Sequence, residues 1–211
     1  MSSSSRSRWW TTVRDREHGA SLVEFTIVST LLFMLVFGIV EFGLAFRDRL
    51  TVSNATQGAV RVGSALASSD ESDFEVLRAL EQSLSTLPNS GLGIVRHVDI
   101  YLANGSGNPS SGCPGSGCNR YAYQPGATPT CDWNPCPDPS GTPDYGGSWL
   151  PVGRDDELPD LDVMGVRLTF AHDWITGGLV PLPNVRCDGS AGANCWADTA
   201  IMRVEPQVFG T

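Results

Sequence analysis

The chain has 211 residues and a formal net charge of −9 at pH 7, which suits one anchored domain with at most a small annex. Its first 19 residues hold four arginines against two acidic residues, so the acidic excess lies in the rest of the chain. Because nucleic-acid binding needs a positive surface to meet phosphates, this acidic bulk argues against a nucleic-acid partner.

The N-terminal part reads as a leader followed by a membrane anchor. Residues 1–19 are rich in Ser and Arg and show no apolar periodicity, so we expect a disordered cytoplasmic leader. An apolar segment follows over about residues 22–46, and no residue from 25 to 40 is charged. At ~1.5 Å per residue, a helix of this length spans a ~30 Å hydrocarbon core. A basic tail before such a segment predicts a cytoplasmic N-terminus and an extracytoplasmic C-terminal domain.

A secretory signal peptide is the alternative interpretation of the apolar segment. Its apolar region is only about 7–15 residues long and ends in a small-residue cleavage site. Here the run is longer, and the sequence GLAFR at residues 43–47 makes a poor cleavage site. A membrane anchor is therefore the better interpretation.

Glu24 lies near the start of the apolar segment, where an ionised side chain is unfavourable and its presence has to be explained. An acidic residue at mid-bilayer costs about 2.5–3.5 kcal/mol on an insertion scale. One interpretation is a carboxylate that faces the lipid headgroups. The other interpretation links Glu24 to Gly19, because cleavage of the chain after Gly19 would give Ala20 a cationic terminal amine. Glu24 of one subunit would then pair with the amine of its neighbour in a helix bundle.

We expect two helices, the first of which continues past the membrane segment, and a small sheet. The first helix is predicted over residues 21 to about 67, and the second over residues 73–87, opened by a capping box at residues 72–75. Alternating apolar residues then predict three strands, with the helices on their buried face. These strands are centred on residues 98–102, 164–170 and 200–204.

All six cysteines follow the apolar segment, and an even number on the exported side predicts disulfides. They are Cys113, Cys118, Cys131, Cys136, Cys187 and Cys195. The connectivity is not fixed by the sequence, but the spacing favours the three local pairs in this order. A zinc site built from two C-x4-C knuckles is the alternative, although structural zinc sites more often have shorter spacings. We expect residues 104–151 to form an irregular loop stapled by disulfides.

The sequence contains no catalytic constellation. None of the three histidines lies in an H-E-x-x-H pattern, and there is no G-x-S-x-G elbow or phosphate-binding loop. The acidic run at residues 154–162 lacks the Gly and the distal Glu of an EF-hand, so we interpret it as a solvated turn rather than a calcium site. We expect no enzymatic activity, no cofactor and no metal.

Residues 16–25, with the sequence REHGASLVEF, resemble the class III signal of TadE-like pseudopilins from Tad (Flp) pilus and tight-adherence systems. The family pattern is Gly, four residues, Glu and an aromatic, which Gly19, Glu24 and Phe25 match; major pilins of this class more often have Tyr in the last place. The resemblance covers about residues 14–67. It implies cleavage between Gly19 and Ala20 by a prepilin peptidase, an assembly role for Glu24 and Phe25, and other pilus subunits as partners.

Taken together, these features predict an α+β protein in which a long transmembrane, pilin-like helix precedes a small antiparallel sheet with a disulfide-rich loop. The predicted parts are a leader over residues 1–19, a helix over residues 20–69 and an extracytoplasmic domain over residues 70–211. The resemblance implies a minor pilin that is a single-pass protein of the cytoplasmic membrane and enters a surface pilus for adhesion or secretion. The alternative is a membrane-anchored binding module with a disulfide-stapled recognition loop.

Overall fold

A computed structural model describes residues 11–87, 92–172 and 194–206, with the backbone alone for residues 11–18. Two helices precede five strands, which form one antiparallel sheet in the order β3-β2-β1-β4-β5. In chain order the elements are α1 (Thr11–Leu66), α2 (Ser72–Leu84), β1 (Val95–Leu102), β2 (Cys118–Thr128), β3 (Cys131–Asn134), β4 (Val163–His172) and β5 (Asn194–Arg203). The predicted α+β class is confirmed.

Helix α1 has 56 residues and is therefore about 84 Å long. It begins at Thr11, so the prediction of a leader without secondary structure is wrong for residues 11–19. No proline interrupts this stretch, and the helix simply extends backward from the apolar segment. The apolar side chains of its first half are exposed, whereas its last turns pack on α2 and the sheet.

The packed face of α1 consists largely of small side chains, which let the helix approach its neighbours closely. Ala55 and Ala59 are at most 1% exposed. At Gly63, an added Cβ would lie 2.5 Å from Met164 Sδ and 2.8 Å from Val76 Cγ2. Gly63 thus sets how closely α1, α2 and β4 can meet.

Helix α2 buries Val76, Leu77, Leu80 and Leu84 against α1 and the sheet. The predicted capping box is wrong, because Glu71 is the N-cap and makes no side-chain cap bond. The Ser72 hydroxyl lies inside the protein and accepts a hydrogen bond from Arg154 instead. The helix also ends at Leu84, before the predicted residue 87.

The helices cover one face of the sheet, as the alternation predicts. Val98 and Ile100 of β1 and Val166 and Leu168 of β4 are fully buried on this face. On the other face, the loop after β1 covers Tyr101, whose hydroxyl donates to the carbonyl of Gly107 at 2.9 Å. Both faces of the central strand are therefore buried.

The cysteine-rich stretch is more regular than predicted, because β2 and β3 both lie within residues 104–151. Strand β2 pairs with β1 from His97↔Ala122 to Tyr101↔Cys118. The sequence of this stretch, rich in Gly, Pro and Ser, does not indicate the pairing. The pairing depends on backbone hydrogen bonds to a neighbouring strand. The interpretation of the whole stretch as an irregular loop is therefore wrong.

Candidate functional site

The predicted processing and assembly residues all lie on the exposed first half of α1. Gly19, Ala20 and Glu24 are exposed, and Phe25 is 72% exposed. Ala20 and Glu24 are four residues apart, so they lie on the same side of the helix, about 6 Å apart along its axis. The structure thus places the whole motif where another protein can reach it.

Within the residues that the structure describes, no side chain packs at Gly19. A Cβ added there would meet nothing within 4 Å, and its φ lies outside the left-handed region. Helices disfavour Gly relative to Ala by about 1 kcal/mol. The presence of Gly at this position is therefore not explained by packing or backbone conformation.

The hydroxyl groups of the apolar segment are satisfied within the helix. Thr26 Oγ1 donates to the Leu22 carbonyl at 2.8 Å, and Thr30 Oγ1 donates to the Thr26 carbonyl at 2.8 Å. Such back-bonding lets hydroxyls enter hydrocarbon without an unpaired donor. An ionised carboxylate has no donor for a backbone carbonyl, so this back-bonding is not open to Glu24.

Helix α1 is also the candidate membrane span. The stretch Gly19–Leu66 is long and apolar enough to cross a membrane, with a mean hydropathy of 2.3 in its most apolar window, and none of that window is buried. Many large apolar side chains are exposed within the first half of this segment. They include Leu22, Phe25, Ile27, Leu31, Phe33, Leu35, Phe37, Ile39 and Phe42. So large an apolar surface indicates contact with lipid or with other apolar helices.

The same segment is matched by a protein-family model. Residues 19–61 match the family described as TadE-like protein. The N-terminal segment is TadE-like. This confirms the resemblance predicted from the Gly, Glu and aromatic pattern, and it covers less than half of the chain. Comparisons with curated proteins and with solved structures gave no match.

Two disulfides lie outside the TadE-like segment, in the part of the sequence between β1 and β4. Cys113 pairs with Cys118, and Cys131 pairs with Cys136. These are two of the three local pairs that the spacing favours. Cys195 is disulfide-bonded too, whereas Cys187 lies outside the described residues, so the pair Cys187–Cys195 stays a prediction. The Sγ atoms of Cys113 and Cys118 lie near Asp99, but a disulfide offers no thiolate to a metal.

We expect the exported protein to contain no free thiol. Non-reducing peptide mapping should recover the three local pairs, and each short bridge should stabilise the fold by at most a few kcal/mol. Thiols that react with alkylating reagents before reduction, together with bound zinc, would instead support the two-knuckle metal site.

The sequence analysis missed a buried polar network around Arg154. The side chains of Arg154 and Asp73 are both 0% exposed, and Arg154 Nη2 donates to Asp73 Oδ1. Arg154 Nη1 donates to Ser72 Oγ at 2.9 Å, and the guanidinium lies 4.3 Å from the centre of the Trp149 ring. The interpretation of residues 154–162 as a solvated turn is therefore wrong at its first residue.

Strand β2 completes this network. Asn119 Nδ2 and Tyr121 Oη donate to Asp73 Oδ2 at 2.9 and 2.6 Å. Burial, reinforced by the charge of Asp73, raises the pKa of Tyr121 above its ordinary value, so its hydroxyl stays protonated and donates. The network joins the start of α2, the sheet and residues 149–154, and thereby fixes the segment that follows β3.

A second charged cluster lies on the sheet face opposite the helices. The Asp99 side chain is 1% exposed, and it accepts hydrogen bonds from Arg120 Nε at 2.6 Å and Arg167 Nε at 3.3 Å. Both arginines stand directly opposite Asp99 in the neighbouring strands. This cluster therefore fixes the register of β2, β1 and β4.

A cleft of about 410 Å³ lies between α2 and the turn that joins β2 to β3. Trp133 Nε1 donates to Glu81 Oε1 at 2.6 Å, and burial raises the pKa of Glu81 above its ordinary value. The lining contains two carboxylates but no His, and its one cysteine, Cys131, is in a disulfide. The cleft can hold a small polar group, but its residues do not form a nucleophile–base pair.

Proposed function

We propose that this protein is a minor pilin or pseudopilin that takes part in the assembly of a Tad (Flp) pilus and has no enzymatic activity. The TadE-like match over residues 19–61, which includes Gly19 and Glu24, is the observation that carries this proposal. Both residues are exposed in the part of the chain that the structure describes. Their presence is accounted for by partners that act on the exposed helix.

For Gly19, the partner is a prepilin peptidase. A peptidase must bind the backbone closely at the bond that it cuts, and a residue without a side chain allows that approach. The absence of any contact around Gly19 supports this role, since no requirement of the fold competes with it. Cleavage after Gly19 removes the basic leader and makes Ala20 the new N-terminus.

For Glu24, the partner is the terminal amine of a neighbouring subunit. An α-amine has an unperturbed pKa of about 8 and is cationic at neutral pH. Apolar helices that pack into a bundle would bury Glu24, and a cation from a neighbour offsets the cost of burying its charge. The exposed apolar side chains along the rest of α1 supply the surface for that bundle.

The proposed location follows from the same helix. Before assembly, α1 anchors the protein in the cytoplasmic membrane as a single span, with the leader inside and the sheet domain outside. The disulfides support an oxidising compartment for the sheet domain. The proposed partners are therefore the peptidase, the membrane and other pilus subunits.

The cleavage step provides the direct test. In cells with an active prepilin peptidase, the mass of the membrane-extracted protein should show a chain that begins at Ala20. The substitution Gly19→Leu should block cleavage. Gly43→Leu is the matched control, because a Cβ at Gly43 also meets nothing within 4 Å, and cleavage of this variant should proceed. A mature protein that still begins at Met1 would contradict the proposal.

A binding module is the second candidate, and the cleft beside Cys131 is the observation that favours it. In that case the anchor serves only to hold the sheet domain at the membrane. Such a module requires neither Gly19 nor Glu24, so normal function of an uncleaved Gly19→Leu variant would favour it over the pilin.

A further inference from the structure

The turn after β1 places an Asn-Gly pair on the surface of the sheet domain. Asn104 and Gly105 follow the strand closely, and both are exposed. This is the one place in the whole sequence where Gly follows Asn. An asparagine side chain can react with the backbone nitrogen of the next residue, and Gly hinders that nitrogen least because it has no Cβ. The pair is therefore a candidate site of covalent modification.

Two backbone N–H groups hold the side-chain carbonyl of Asn104. The Ser106 N–H donates to Asn104 Oδ1 at 2.9 Å, and the Asn108 N–H donates to the same oxygen at 3.1 Å. In sites of acyl transfer, donors at about 2.7–3.1 Å stabilise the negative charge that develops on a carbonyl oxygen under attack. The turn therefore supplies Asn104 Oδ1 with a pair of donors suited to an attack on Asn104 Cγ.

The backbone nitrogen of Gly105 is available as the nucleophile. Within the described residues no acceptor takes the Gly105 N–H, whereas the N–H groups of Asn104, Ser106 and Gly107 are all hydrogen-bonded. A Cβ added at Gly105 would meet nothing within 4 Å, and its φ lies outside the left-handed region. Neither packing nor backbone conformation therefore requires Gly at this position. The hydrogen bond from Ser106 to Oδ1 also closes a ring that contains both Asn104 Cγ and the Gly105 nitrogen.

We propose that Asn104 is a site of deamidation promoted by the backbone donors of its own turn. The Gly105 nitrogen forms a bond to Asn104 Cγ and loses its proton, the bond from Cγ to Nδ2 breaks, and Nδ2 takes up that proton through water and leaves as ammonia. The product is a succinimide ring. Water then opens the ring, at Cγ to give aspartate or at the backbone carbonyl carbon to give isoaspartate. The sum is amide plus water to acid plus ammonia, with no oxidant or reductant.

The modification alters the loop that covers the sheet face opposite the helices. The Gly107 N–H donates to the Asn104 carbonyl at 2.8 Å, and the Gly107 carbonyl accepts a hydrogen bond from the Tyr101 hydroxyl. In the isoaspartate product the main chain runs through Cγ, which lengthens the backbone and turns the former carbonyl into part of a free carboxylate. The turn then has to rearrange, which loosens the cover over Tyr101. This inference is independent of the proposed pilin function.

Peptide mapping by mass spectrometry tests the proposal on the full chain in detergent micelles. The folded protein is incubated in mildly alkaline buffer beside a synthetic peptide of residues 101–108. The folded chain should convert Asn104 to aspartate and isoaspartate at least as fast as the peptide, because only the folded turn holds both donors on Oδ1. The substitution Gly105→Ala should slow the conversion by about tenfold, since a Cβ hinders the attacking nitrogen. The open space around Gly105 lets this variant keep the fold.

Asn54 is the internal control in the same digest. It is exposed as well, but it lies in α1, where the N–H of the following Ala55 is part of the helix, so Asn54 should stay unconverted. Slower conversion of Asn104 in the folded chain than in the peptide would overturn the proposal, as would equal rates for Gly105→Ala and the wild type. Formation of aspartate without isoaspartate would also overturn it, because direct hydrolysis of the side chain bypasses the ring.

Discussion

Replacement of Asp73 by Ala is expected to lower the free energy of unfolding by about 3–5 kcal/mol, because it leaves the buried Arg154 guanidinium without its counter-charge. The same change removes the acceptor of the buried Tyr121 hydroxyl and one of the two acceptors of Asn119 Nδ2, which still donates to the Trp149 carbonyl. The measurement is denaturant-induced unfolding of the full chain in micelles, followed by tryptophan fluorescence. Trp149 lies against the guanidinium and should report the transition.

Two further variants make this prediction specific. The exposed ion pair Arg78–Glu75, in the same helix, supplies the control, and Arg78→Ala should cost less than about 1 kcal/mol. The double variant Asp73→Ala with Arg154→Met should lose less stability than Asp73→Ala alone, because no buried charge is left unpaired. Equal losses for Asp73→Ala and Arg78→Ala would show that the network contributes little.

The substitution Glu24→Gln is expected to yield a subunit that is inserted and processed but does not join the pilus complex. It removes the charge while nearly keeping the shape, so the partner amine would be left alone in an apolar bundle. Breaking a buried pair in this way costs about 3–5 kcal/mol, which shifts assembly by orders of magnitude. Cleavage should survive, since the scissile bond lies several residues away.

Co-purification with other pilus components measures this effect, and the mass of the mature chain reports cleavage in the same sample. The variant Glu24→Asp keeps the charge on a shorter side chain and should retain part of the assembly. Recovery of Glu24→Gln in the complex at the wild-type level would defeat the pairing and favour a carboxylate that only faces lipid headgroups.

The sequence by itself determined the features that arise from local patterns. A long uncharged apolar run makes a helix wherever it lies, so α1 and its candidate membrane span were predictable, although the start at Thr11 was not. Strict alternation likewise predicted β1 and β4, because a strand between a core and another layer buries every second residue. Cysteines five residues apart, such as Cys113 and Cys118, were close enough to pair. The motif of Gly19, Glu24 and Phe25 was readable because its residues lie close together in the sequence.

Only the tertiary structure decided the features that depend on distant residues. Arg154 opens an acidic run and looks solvated, but its partner Asp73 lies 81 residues earlier and becomes a neighbour only after the sheet forms. Ser72 was expected to cap α2, but its hydroxyl is buried and accepts a hydrogen bond from the Arg154 guanidinium instead. Strand β2 forms in a stretch of unfavourable composition because β1 offers it unpaired backbone groups. Burial and pairing are properties of the folded chain as a whole, and no local window of the sequence contains both partners.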